Sequence, residues 1–121
     1  MYSIVFEIDH LPELPNARSQ KSFWRLHNEK KNWLKYLFDL ADKRPKEPLK
    51  KVEVIITRYS SRECDLDNLY SSLKAPLDAL VKAGFIFDDR PSIITLIAKW
   101  VKSTRLESKL RFEIRELKDI I

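Results

Sequence analysis

Acidic side chains in one segment of the sequence stand in pairs that could bind a metal ion. Asp65 and Asp67 are separated by one residue and followed directly by Asn68, and Asp88 and Asp89 stand together further along the chain. Side chains two residues apart in an extended stretch point to the same side, and Mg²⁺ prefers carboxylate oxygens. Mg²⁺ can activate water and neutralise charge on a phosphodiester. We therefore predict a divalent-metal site formed by Asp65, Asp67 and Asp89.

A lysine could complete this chemistry. Lys74 and Asp78 are four residues apart, so they share one face of a helix. From that helix, Lys74 could stabilise negative charge that develops on a phosphate. Each feature also has a structural alternative: an aspartate pair before a helix can cap its N-terminus, adjacent aspartates often form a turn, and Lys74 with Asp78 can be an exposed ion pair.

The distribution of charge indicates what the site would act on. The 121 residues include 23 Lys and Arg against 18 Asp and Glu, a formal charge of +5. Residues 13–51 hold eleven basic and five acidic residues, whereas residues 63–89 hold six acidic and two basic ones. A bound cation would make the acidic segment compatible with a nucleic acid. The candidate phosphate contacts are Lys43, Arg44, Lys46, Lys50, Lys51, Arg62 and Arg90, although the run 43–51 could equally be a solvated connector.

Composition excludes several other classes. The single glycine, Gly84, is incompatible with the clustered glycines of phosphate-binding loops, so we expect no nucleotide or other small-molecule cofactor. One cysteine, Cys64, cannot form an internal disulfide, and with only two histidines it argues against structural zinc. The longest apolar run, residues 93–98, is too short to span a membrane. The N-terminus does not resemble a signal peptide, and we expect a cytoplasmic protein.

Periodicity predicts the elements that must position these residues. Apolar residues alternate in strands and recur every three or four residues in helices. The pattern predicts one α+β domain over residues 1–121 with a mixed sheet, in the order strand 2–8, helix 23–41, strand 52–57, exit loop 58–64, helix 66–83, strand 93–101 and strand 109–117.

Two residues should shape the second helix. Pro76 removes a backbone hydrogen bond, which predicts a kink near Lys74. Gly84 follows the last apolar position, where a left-handed residue ends many helices.

In the last strand, Leu110, Phe112 and Ile114 should face the core.

Three segments together resemble the signature of the RusA family of Holliday junction resolvases. They are residues 65–68 (DLDN), 74–80 (KAPLDAL) and 82–89 (KAGFIFDD). The resemblance implies a RusA-like fold and a homodimeric, Mg²⁺-dependent endodeoxyribonuclease of bacteria or their phages, which nicks four-way DNA junctions symmetrically in recombination and repair. Mn²⁺ would serve as a substitute ion. The resemblance assigns metal binding and catalysis to Asp65, Asp67 and Asp89, and catalysis to Lys74. It assigns supporting positions to Asn68, Asp78 and Asp88.

The sequence departs from the family pattern in two places. Lys74 follows Asn68 at a spacing three residues longer than in the best-known member, and Pro91 replaces a frequent glutamine. Two alternatives therefore stay open. One is a branched-DNA-binding protein that has lost catalysis, and the other is a nuclease that acts on flaps or forks instead of junctions.

Overall fold

A computed structural model describes residues 1–14 and 23–118 of the chain. Its elements follow the predicted order, with the second helix divided in two. They are β1 (Ser3–Ile8), α1 (Phe23–Phe38), a 3₁₀ turn (Ala41–Lys43), β2 (Val52–Ser60), α2 (Leu66–Ser72), α3 (Lys74–Lys82), β3 (Ile94–Lys102) and β4 (Lys109–Glu116).

The four strands form one mixed sheet in the order β1-β4-β2-β3. β4 pairs antiparallel with both β1 and β2, and β2 pairs parallel with β3. A parallel pair needs a crossover connection, and the helices α2 and α3 provide it. The prediction of a small α+β domain with a mixed sheet is confirmed.

The hydrophobic core lies between one face of the sheet and the helices α1 and α3. Alternate residues of each strand point to this face. Leu110, Phe112 and Ile114 are fully buried, as the alternation predicted. Phe6 stacks on Phe112 with ring centroids 4.8 Å apart, and Trp33 of α1 packs against the same ring. The core therefore fixes β4 at the centre of the fold.

Two element ends differ from the prediction by three residues, and the others by at most one. Helix α1 ends at Phe38, three residues early, because the hydrogen bonds tighten: Asp39 N–H donates to the Lys35 carbonyl, but Leu40 N–H donates to the Leu37 carbonyl. Strand β2 continues into the first three residues of the predicted exit loop and ends at Ser60, since β3 pairs with it as far as Ser60.

Candidate metal and nucleic-acid site

Asp65 and Asp67 lie where the loop after β2 enters α2. Asp65 occupies the N-cap position with extended backbone (φ −63°, ψ 149°), and Asp67 lies in the first turn. Asp65 makes no side-chain cap hydrogen bond, so it does not serve as the cap that its position would allow. Both side chains are exposed, and neither carboxylate pairs with another described residue. The two carboxylates are free to bind a cation.

The predicted kink separates α2 from α3. Helix α2 ends at Ser72 and α3 begins at Lys74, with Leu73 between them, which confirms the prediction. Pro76 is then the third residue of α3, where its missing N–H would lack a helical partner in any case. The proline is therefore accommodated in a first turn and not in a helix interior.

Lys74 is exposed at the first position of α3. Asp78 forms its ion pair not with Lys74 but with Lys30 of α1, at an Nζ to Oδ2 distance of 4.0 Å. A pair of this length at the surface contributes little stability. Asn68 is half-buried on α2. Lys74 thus remains available to a ligand.

Gly84 ends α3 and directs the chain toward the second aspartate pair. Its φ of +88° is the only positive value among the described residues. Phe85 N–H donates to the Leu80 carbonyl and Gly84 N–H to the Val81 carbonyl, which is the Schellman pattern of helix ends. The left-handed glycine that the sequence predicted is confirmed.

Asp88 and Asp89 differ in what they contact. The Asp88 carboxylate accepts the Asp89 backbone N–H at 2.7 Å and pairs with Arg90 Nε at 2.8 Å. The backbone hydrogen bond from Asp89, with further help from Arg90, lowers the pKa of Asp88. Asp89 is exposed, and its carboxylate forms no ion pair within the described part of the chain. Of the two aspartates, Asp89 is the one without an ion pair, so it is the more available to a ligand.

The two acidic pairs lie at opposite ends of the crossover. Asp65 follows the carboxyl end of β2, whereas Asp89 precedes the amino end of β3. Because β2 and β3 are parallel, with Val52 beside Ile94, these ends lie at opposite edges of the sheet. Across residues 1–14 and 23–118, no group of three or more His, Cys, Asp or Glu side chains is placed to hold a metal ion. The expected convergence of Asp65, Asp67 and Asp89 is therefore absent from the single chain.

Most of the candidate basic residues lie at the edge that carries Asp89. The connector of residues 42–51 runs beside the end of α3: Leu49 N–H donates to the Phe85 carbonyl and Phe87 N–H to the Leu49 carbonyl. Lys51 Nζ lies 3.5 Å from the Ser92 carbonyl. Exposed side chains at this edge are Lys43, Arg44, Lys46, Lys50, Lys51 and Arg90. Arg62 is also exposed, but it lies in the loop that leads to Asp65.

Sequence reasoning missed the residue that joins the N-terminal segment to β2. Arg58 on β2 is only 9% exposed, and its Nη1 donates to the Pro12 carbonyl at 2.8 Å. Burial lowers its pKa, while nearby Cys64 and Glu29 act in the opposite direction. The guanidinium thus ties the N-terminal segment to the strand that leads to Asp65. An arginine directly after the β-branched run of β2 was the available signal.

No family model matches the chain, and no curated protein matches it. None of the helices in the described part of the chain has both the length and the apolar character needed to cross a membrane.

Proposed function

We propose that this protein is a divalent-metal-dependent endodeoxyribonuclease that acts on branched DNA. The observation that carries the proposal is the pair of free, exposed carboxylates of Asp65 and Asp67 at the start of α2, within a segment that resembles the RusA signature. In its specific form, the proposal is a homodimer with a RusA-like fold that nicks four-way junctions symmetrically. Such an enzyme would work in the cytoplasm of a bacterium or of a phage-infected cell.

The donor chemistry of the two aspartates suits Mg²⁺. This ion commonly binds through one or two carboxylates, completing its octahedron with waters and substrate phosphates. The carboxylates of Asp65 and Asp67 would therefore be enough as the protein's share when DNA is present. Mg²⁺, or Mn²⁺ in its place, would activate water and neutralise charge on the scissile phosphate.

The remaining residues would position the DNA. Lys74, exposed at the start of α3, would interact with the negative charge of the phosphate. The basic residues of the connector would contact the backbone of a neighbouring arm, since lysine and arginine displace counterions from phosphates. Symmetric nicking requires two equivalent sites, which an isologous dimer provides. In that dimer, Asp89 of one chain would contribute to the site of the other chain, because Asp65 and Asp89 of the same chain lie at opposite edges of the sheet.

Cleavage of labelled DNA tests the proposal. Synthetic four-way junctions, forks, flaps and linear duplexes of equal length are incubated with the protein in Mg²⁺ or Mn²⁺. We expect nicks in junctions, and loss of nicking in Asp67→Asn but not in Asp39→Asn, a control that alters an exposed aspartate beyond α1.

Each alternative outcome has a definite meaning. Binding without nicking in either metal would replace the enzyme with a branched-DNA-binding protein. Preferential cleavage of forks or flaps would retain the nuclease and remove the junction assignment, whereas equal cleavage of linear duplex would remove the preference for branched DNA altogether.

A further inference from the structure

Phe87 is an aromatic side chain held in an exposed position beside the basic connector. Phe87 is 50% exposed, whereas Leu49 and Ile86, which form an isolated β-bridge, and Phe85 are nearly or fully buried. Phe87 N–H donates to the Leu49 carbonyl at 2.9 Å, and Leu49 N–H donates to the Phe85 carbonyl at 3.1 Å. These backbone hydrogen bonds therefore hold Phe87 in a position where its ring is exposed.

Lysine side chains of the connector lie beside the ring, and Asp88 and Asp89 follow it directly along the chain. Lys50 Nζ lies 5.6 Å from the ring centroid, close to the limit of about 6 Å for a cation–π contact. At an exposed site such a contact is weak, so an aromatic ligand could displace the lysine at small cost. Lys46 and Lys51 extend from the same connector, whereas Arg90, three residues after the ring, is paired with Asp88.

We propose that Phe87 is a stacking platform for an unpaired DNA base, with Lys50 and its basic neighbours contacting the adjoining phosphates. An exposed aromatic ring within a basic surface is the combination by which proteins bind single-stranded nucleic acid, since every base offers a π face. Fully paired duplex keeps its bases stacked on each other and cannot use the ring. The inference rests on the proposed function, because it names the feature of branched DNA, the unpaired base, that this surface would recognise.

Binding in EDTA tests the inference without cleavage. The probes are a fluorescein-labelled 20-nucleotide oligothymidylate and a paired 20-base-pair duplex, measured by anisotropy. We expect Phe87→Leu to weaken oligothymidylate binding about tenfold while duplex affinity changes less than twofold, because stacking on one ring is lost. Phe87→Trp should retain the affinity. Phe38→Leu is the matched control, since Phe38 is 48% exposed at the end of α1.

Sedimentation and urea unfolding of each variant establish that mass and stability are unchanged. Equal weakening of both probes, no weakening, or a change in mass with Phe87→Leu would each overturn the stacking role. If the wild type never nicks DNA but Phe87→Leu loses oligothymidylate selectively, the nuclease proposal fails and this inference stands. If the wild type nicks junctions but Phe87→Leu binds both probes normally, the stacking inference fails and the nuclease proposal stands.

Discussion

Replacing the only glycine should destabilise the protein through its backbone conformation. Gly84 adopts a φ of +88° at the end of α3, where the chain turns toward Phe85 and Phe87. The Schellman hydrogen bonds of Gly84 and Phe85 depend on this conformation. Gly84→Ala keeps the chain length and adds one methyl group, so it isolates the cost of the left-handed backbone.

The structure separates steric from conformational cost. A Cβ at position 84 would lie 3.6 Å from Arg44 Cδ and 3.8 Å from Arg44 Nη1, which is ordinary van der Waals contact. No clash adds to the penalty. An L-residue with a side chain pays about 1–2 kcal/mol in the left-handed region, so we expect Gly84→Ala to lower the free energy of unfolding by about 1 kcal/mol. Asparagine tolerates this region, and Gly84→Asn should lose only a few tenths.

Urea unfolding followed by circular dichroism measures the effect. With a typical slope of about 2 kcal/mol per molar urea, the midpoint of Gly84→Ala should fall by about 0.5 M. Glycine-to-alanine changes at ordinary φ values usually stabilise a protein by about 0.4–1 kcal/mol. A midpoint equal to or above wild type would therefore refute the reasoning, as would an equal loss in Gly84→Asn and Gly84→Ala.

Three further predictions concern charge and the proposed dimer. Affinity for duplex DNA, measured by anisotropy, should fall steeply between 50 and 200 mM salt. If Lys50 and Lys51 both contact phosphates, the double variant Lys50→Gln, Lys51→Gln should reduce the slope of log affinity against log salt concentration by about 2. An affinity that does not change with salt would contradict phosphate contact. If Asp89 serves the partner's site, Asp67→Asn and Asp89→Asn chains that are refolded together should regain about a quarter of the wild-type nicking activity, measured on gels. Half of the dimers would then be mixed, and each mixed dimer would hold one intact site of two. No recovery would place both residues in one chain's site. The Asp88 carboxyl has a pKa below the ordinary value of 3.8, so its contribution to stability is present above pH 3.8 and is lost as the pH falls through the pKa of the folded state. The Asp88→Asn variant should therefore lose less stability than wild type on acidification. An Asp88 carboxyl that titrates by NMR at or above 3.8 would contradict the hydrogen bond from Asp89.

Local signals in the sequence predicted the elements well. Alternation identified the inward residues of β4, and the single glycine identified the end of α3, because both signals depend only on neighbours along the chain. The kink was also local, since Pro76 requires a helix start nearby. These features needed no knowledge of the tertiary fold.

Long-range contacts account for the features that were not predicted. Strand β2 extends to Ser60 because β3 pairs with it to its end and because Arg58 is buried against Pro12, forty-six residues away. The position of Phe87 depends on the hydrogen bond of its N–H with the Leu49 carbonyl, beside the β-bridge that joins two segments distant in sequence. An apolar FIF run looks uniformly buried when only its composition is considered.

The separation of the aspartates follows from the parallel pairing of β2 and β3. A chain that crosses over to a parallel strand must return to the edge where the first strand began, so the residues just before β3 lie near the start of β2. Asp89 therefore lies at the edge of the basic connector, and Asp65 lies beyond the other end of β2, a strand of eight residue steps or roughly 26 Å. This topology agrees with the absence, among the described residues, of any group of three or more His, Cys, Asp or Glu side chains that could hold a metal ion. If both carboxylates serve a single phosphate, the second must come from another copy, which is why mixing two inactive variants is the decisive test of the site.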